Sequence, residues 1–306
     1  MARTVVSGGA GGGGGTSLAP STGNWATGTF GTGQIMTFAG AGSYIFTIPT
    51  GTTSIRVRCF GAGGGGSTST SQAGGAGGGF ALGTHTVTAG SSHTVTVGAG
   101  GTNNVAGGTS SFGSLISATG GGAGQNNTSA VTGGNGSGGT VNYLGGGAQG
   151  SYSGGGGVAC LFGPGNPGSY SGNSYPSAYN DLGMTGGAGG GLGKNGTFYT
   201  SDIRGSNFGT FGMIMTGSGP GNASSTVETA QTFFSPAAIP QCIDMLGTGI
   251  GGTSDQGKGN GINGGGGAGG HNRPGRGGWP GGGGGAGGST ANFYGIGADG
   301  CVIVEY

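Results

Sequence analysis

Apolar and polar positions alternate with the period of a strand near both ends of the chain. Residues 34–39 and 43–48 alternate around Gly40-Ala41-Gly42, a pattern that predicts a hairpin. Pro49-Thr50-Gly51 reads as a turn. Ser54–Phe60 reads as a third strand, with Ile55, Val57 and Cys59 on one face and Arg56 and Arg58 on the other. Residues 79–88 and 93–98 flank Ala89-Gly90-Ser91-Ser92 and predict a second hairpin with Val87, Val95 and Val97 on its buried face. Residues 107–119, weighted by Phe112, Leu115 and Ile116, predict a third. Residues 301–306 form a last strand that must pair with the N-terminal ones. Glu305 shares the face of Cys301 and Ile303 and could neutralise Arg56 or Arg58. The predicted fold class is mainly β, with almost no α-helix. It is a small β-sandwich over 34–119 plus 297–306, closed by the N- and C-terminal strands.

Glycine runs break this alternation at 61–66, 74–79, 133–139, 154–157, 186–193 and 264–288. Glycine is 93 of the 306 residues, and charged residues are 5%. The absence of a Gly-X-Y period, with only 10 prolines, excludes collagen. Disordered chains usually carry high net charge, which this one lacks. An extended helix of three residues per turn has no internal hydrogen bonds, so its N–H and C=O groups need partners elsewhere. Where glycine faces a neighbouring helix, the backbones can approach and bond to each other. Residues 120–296 are therefore read as a long insertion of packed polyglycine-II-type helices with irregular loops. The non-glycine islands at 161–184, 194–215 and 227–246 would be loops at the ends of this block. Loops on a rigid scaffold commonly carry recognition.

The net charge of +1 gives no electrostatic case for nucleic acid. From Cys59 to Asn180 there is no Asp, Glu, Lys or Arg. Cys59, Cys160, Cys242 and Cys301 lack metal-ligand spacing and read as small apolar residues. A Cys59–Cys301 disulfide is conceivable because both fall in strands. His85 and His93 fall on one face by parity; without a third ligand nearby they read as packed or rim histidines rather than a metal site. No signal-peptide core and no apolar run of membrane-spanning length is expected. Gly252-Thr253-Ser254-Asp255-Gln256-Gly257-Lys258 begins like a phosphate loop, but Gly259 stands where the metal-binding hydroxyl belongs. The carboxylates are scattered and no serine sits in a strand–helix elbow. An enzyme and a cofactor are not expected.

FTIPTGTTSIRVRCFGAGGGG, GTHTVTAGSSHTVTVGAGG, GGTSSFGSLISATGG, GRGGWPGGGGGAGG and GADGCVIVEY occur in this order. The series resembles the glycine-rich C-terminal domain of bacteriophage tail-fibre and tail-tip adhesins over residues 34–119 and 264–306. The resemblance implies a virion protein, assembled in the host cytoplasm, that binds a host-surface glycan or outer-membrane protein during adsorption. By analogy Tyr170, Tyr175, Tyr179, Phe198, Tyr199, Phe208 and Phe211 would carry receptor binding. Residues 1–33 are an arm for attachment to other tail proteins or for subunit docking, with Trp25 and Phe30 as anchors; a homotrimer is one assembly this allows. No separate fibre-attachment domain is evident before residue 34. Two other readings stand beside this one: a purely architectural virion component, and an ice-binding protein built on flat glycine-helix faces.

Overall fold

The computed structural model describes residues 34–68, 73–125, 131–148, 153–168, 188, 246–247, 260–261, 263–267, 269, 274–287 and 294–306, with the backbone of 16–17. Among them the regular elements are all strands: β1 Thr16–Ser17, β2 Ile35–Phe38, β3 Gly42–Thr47, β4 Ser54–Phe60, β5 Phe80–Thr86, β6 Ser92–Val97, β7 Ser110–Phe112, β8 Ile116–Ala118, β9 Gly136–Ser137, β10 Val141–Tyr143 and β11 Cys301–Glu305. They form a six-stranded sheet in the order β1-β3-β6-β7-β8-β9 and a five-stranded sheet in the order β10-β5-β4-β11-β2.

The alternation in β4 decides its faces. Ile55, Val57 and Cys59 are buried in the core between the sheets, with Phe38, Phe46, Val95, Phe112, Val302 and Tyr306. Arg56 and Arg58 point the other way and meet Glu305, which stands opposite Arg56 in the antiparallel β4–β11 ladder. Arg56 Nε donates to Glu305 Oε1 at 3.0 Å, its Nη2 pairs with Oε2, and Arg58 Nε lies 3.1 Å from Oε1. The last strand therefore fits between β4 and β2 and closes the sheet. It also excludes the disulfide. Cys59 is opposite Val302 and faces the inter-sheet core, whereas Cys301 is opposite Phe60 on the outer face. Cys59, Cys160 and Cys301 are free and buried.

Two of the three expected hairpins are corrected. β2 belongs to the five-stranded sheet and β3 to the six-stranded one, so residues 34–48 cross between sheets. Phe38 and Phe46 thereby meet edge-on across the core at 6.3 Å. β5 pairs with β4 and β10, while β6 pairs with β3 and β7, so residues 80–97 also cross over. The β7–β8 hairpin forms as expected, with Phe112 opposite Ile116.

The glycine segments continue the strands. β4, β6, β8 and β10 run out into 61–67, 98–101, 119–124 and 145–148; 73–79, 105–108, 132–135 and 295–300 lead into β5, β7, β9 and β11. The block thus draws on chain from both sides of residue 120, and β9 and β10 fall inside the 120–296 stretch. Segments 153–160, 163–168, 263–267, 275–278 and 281–287 complete its described part.

Period three governs the bonding. Gly61, Gly64 and Ser67 donate to Gly79, Ala76 and Ala73 at 2.9, 2.8 and 3.4 Å. Ala62 and Gly65 donate to Gly108 and Val105, and Gly63 and Gly66 to Ala298 and Gly295. In return the carbonyls of Ala62 and Gly65 accept from Gly121 and Gly124, those of Gly63 and Gly66 from Gly101 and Asn104, and those of Gly64 and Ser67 from Gly284 and Gly287. Segment 61–67 is therefore enclosed by six described neighbours: 73–79, 105–108, 295–298, 121–124, 101–104 and 284–287. Each is met by every third residue, as three residues per turn requires. All of 61–67 and 73–79 is buried. Glycine is needed because the neighbour is backbone: a Cβ on Gly75 would run into the Gly64 carbonyl, and one on Gly78 into that of Gly61.

Candidate functional site

Register gives the block two ends. Gly61 follows β4 directly and bonds to Gly79, which directly precedes β5; these mark the sandwich end. Ser67 and Ala73 are bonded six residues further out, roughly 19 Å away at ~3.1 Å per residue. Gly124 bonds to Gly65, Gly287 to Ser67, and Gly168 to Gly147, so these segments also run outward. The chain thus leaves or enters the described block at Thr68, Ala73, Gln125, Val131, Ala148, Ser153, Gly168 and Gly287, all at the end away from the sandwich. One connection there is described throughout. It is the 102–106 turn, where Asn104 has φ 52° and Val105 is 51% exposed.

Tyr170, Tyr175, Tyr179, Phe198, Tyr199, Phe208 and Phe211 lie outside the described residues, as do Trp25, Phe30 and the 227–245 part of the third island. Their anchor points are described, and they divide the set. The three tyrosines come after Gly168 in sequence, and Gly168 itself is at the far end. The stretch bearing Phe198, Tyr199, Phe208 and Phe211 runs between Ala188 and Leu246, which are both buried at the sandwich end. There Val158, Ala159, Cys160 and Leu246 cover Ile35, Phe60, Phe80, Cys301 and Ile303 on the outer face of the five-stranded sheet. The 161–184 island is also split. Cys160 and Gly163 bond to each other across a tight turn, and Leu161 and Phe162 pack on this same cluster. Hydrophobicity alone could not separate Leu161 and Phe162 from the tyrosines that follow them.

The histidines are in different sheets. His85 is opposite Ile55 in the five-stranded sheet, and burial lowers its pKa. His93 is opposite Phe46 in the other sheet and stacks on Phe112 at 5.0 Å, with its Nε2 3.2 Å from Ser91 Oγ. Among the described residues no group of three His, Cys, Asp or Glu side chains could hold a metal ion.

A shallow apolar cavity of about 300 Å³ opens on the block's flank between Val131, Leu144, Gly147 and Pro167. Leu144 is 56% exposed beside it. Trp279 closes the turn between 275–278 and 281–287, donating from its indole to Gly300 O at 3.2 Å and packing on the outer-face cluster. This assigns it to the scaffold. Arg276 is exposed, and its amide bonds to Asn260 Oδ1.

A family model described as a glycine-rich domain matches residues 37–306. No curated protein matches the chain.

Proposed function

The chain belongs to the glycine-rich domain family, and from that premise we propose that it is a phage tail-fibre or tail-tip protein that binds a host-surface receptor. The observation that carries the reading is that Thr68, Ala73, Gln125, Val131, Ala148, Ser153 and Gly168, from which polar stretches leave the block, all lie at the end away from the sandwich. A scaffold whose segments are bonded backbone to backbone has no side chains to offer a ligand along its buried length. Recognition must then lie where the glycine stops. The stretches that follow the far-end residues Thr68, Gln125, Ala148 and Gly168 in sequence are written in Ser, Thr, Asn, Gln and Tyr: 69–72 reads STSQ, 126–130 NNTSA, 149–152 QGSY and 169–180 SYSGNSYPSAYN. Tyr combines large contact area with low conformational cost, and Ser and Asn supply adaptable hydrogen bonds. Tyr170, Tyr175 and Tyr179 are the contact residues this reading favours. The order of the sequence motifs, which resembles that of tail adhesins, supports the virion setting.

The test is binding of the labelled protein to a panel of bacterial strains. A strain that is bound is then challenged with a variant in which 169–180 is replaced by a Gly-Ser linker of equal length. Loss of binding with an unchanged melting midpoint supports the assignment. Binding that survives this replacement places recognition elsewhere. Failure to bind any strain that the parent virion infects sinks the receptor-binding reading in favour of an architectural component.

A further inference from the structure

We propose that the flank groove over residues 144–147 binds an extended, uncharged segment of a partner protein, rich in glycine and proline and wound at three residues per turn. The segment beneath the groove is incompletely surrounded. Gly145 and Ala148 donate to Gly134 and Val131. Gly146 donates to Gly157 and accepts from Gly77, and the carbonyls of Leu144 and Gly147 accept from Gly165 and Gly168. Among the described residues its neighbours are therefore 131–134, 153–157, 73–79 and 163–168, whereas the interior segment 61–67 has six. The open side faces outward. Leu144 is 56% exposed there and Gly147 is half-buried. The apolar cavity of about 300 Å³ lies on this side, with Val131 and Gly133 from one neighbouring segment and Pro167 from another.

The chemistry of the groove selects the occupant. The amides of Gly133 and Gly147 line it and donate to no described acceptor, so the occupant must bring carbonyls. Val131, Leu144 and Pro167 supply apolar surface. No Asp, Glu, Lys or Arg occurs from Cys59 to Asn180, so a charged segment would find no counter-charge on these walls. Segment 163–168, GPGNPG, shows what fits against this backbone. It meets Leu144 and Gly147 through the buried Gly165 and Gly168, while Pro164 and Pro167, three residues apart, remain half-buried. Glycine at the facing positions lets the backbones approach. Proline at the others leaves no amide unbonded and holds the chain extended, at φ of about −65°. A partner segment of this composition is already close to its bound shape, which lowers the entropic cost of docking. It would add one more helix to the row formed by 131–134, 144–148 and 163–168. The open flank is to this lattice what a free edge is to a sheet.

The test is an NMR titration of the full, isotope-labelled chain with a synthetic peptide of three GPGNPG repeats. Saturable shifts of the Gly133, Leu144 and Gly147 amides are expected, with those of β4 and β11 unmoved. Leu144→Asp, at an exposed position, should weaken the binding about tenfold or more through the lost apolar contact, with the unfolding midpoint of the variant checked against the parent. Absence of saturable shifts in the parent chain would overturn the proposal. A Gly-Ser peptide of equal length that shifts the same amides as strongly would also overturn it, because the occupant would then need no preformed helix. Shifts of these amides that grow with protein concentration in the absence of peptide would assign the groove to a second copy of this chain, and the proposal would fall.

Discussion

Replacing Gly64 by alanine tests the lattice in its buried interior. Gly64 donates to Ala76 O at 2.8 Å and accepts from Gly284 N at 2.9 Å. A Cβ there would fall on the carbonyl oxygen of Gly122, 2.8 Å from its carbon and 2.9 Å from Gly121 O. Both obstacles are backbone and cannot swing aside. Segment 121–124 would have to move, loosening the bonds Gly121 to Ala62, Ala76 to Gly122 and Gly124 to Gly65. At ~1 kcal/mol net per bond the loss is about 3 kcal/mol. The stiffer unfolded chain of the variant returns ~0.4–1 kcal/mol, leaving a deficit of about 2–3 kcal/mol. Gly51→Ala is the comparator. That glycine has φ +85° with nothing within 4 Å, so only the left-handed backbone is strained, at about 1 kcal/mol. Urea unfolding of both variants, with slopes compared to the parent, measures the difference. If Gly64→Ala is no more damaging than Gly51→Ala, the close backbone packing around 61–67 is wrong.

Other consequences follow from the sandwich. Glu305→Gln leaves Arg58, 3% exposed, facing an uncharged partner and is expected to lower stability by about 3–5 kcal/mol; the R58M/E305L double variant recovers most of this in the same urea assay. Burial raises the pKa of the Cys59 and Cys301 thiols, and that of Cys160 to about 11. All three should therefore resist iodoacetamide at pH 8 and react once the chain is unfolded, as peptide mass spectrometry would show. Burial also pushes the Tyr306 phenol from 10.0 up to about 12. The unfolded chain releases this proton first, so stability is unaffected by this group below pH 10 and falls as pH rises from 10 towards 12. Tyr306→Phe should flatten that part of a pH series of unfolding midpoints.

The parts of the fold legible in sequence were those fixed by one face of one element. The alternation of Ile55, Arg56, Val57, Arg58 and Cys59 settles which side of β4 is core. Parity puts Glu305 on the face of Cys301 and Ile303, but its place opposite Arg56 is set by the β4–β11 register, which the sequence leaves open. Pairing was less legible. Gly40-Ala41-Gly42 and Ala89-Gly90-Ser91-Ser92 mark reversals, but turn chemistry does not say whether the chain returns to the same sheet or the facing one. The edge-on contact of Phe38 with Phe46 across the core follows from that crossing and is not announced by their spacing. The glycine runs announce close backbone approach, but every third residue of a run faces a different neighbour. With side chains missing, nothing in 61–66 distinguishes the neighbour 73–79 from 295–298. Leu161 and Phe162 show the same limit for the candidate site: their apolar character suits a loop or an anchor, and only the Cys160–Gly163 turn decides.

Hydrogen exchange resolved to single residues across 61–67, 73–79 and 281–287 tests the backbone-bonded block most directly, with the strands β4 and β11 as internal standards. Each of these amides donates to a neighbouring segment, Gly74 through Ser153 Oγ. The expected result is exchange through global opening only, as slow as in β4 and β11. Rates close to those of a free glycine peptide, with the sandwich strands still protected, would contradict the account.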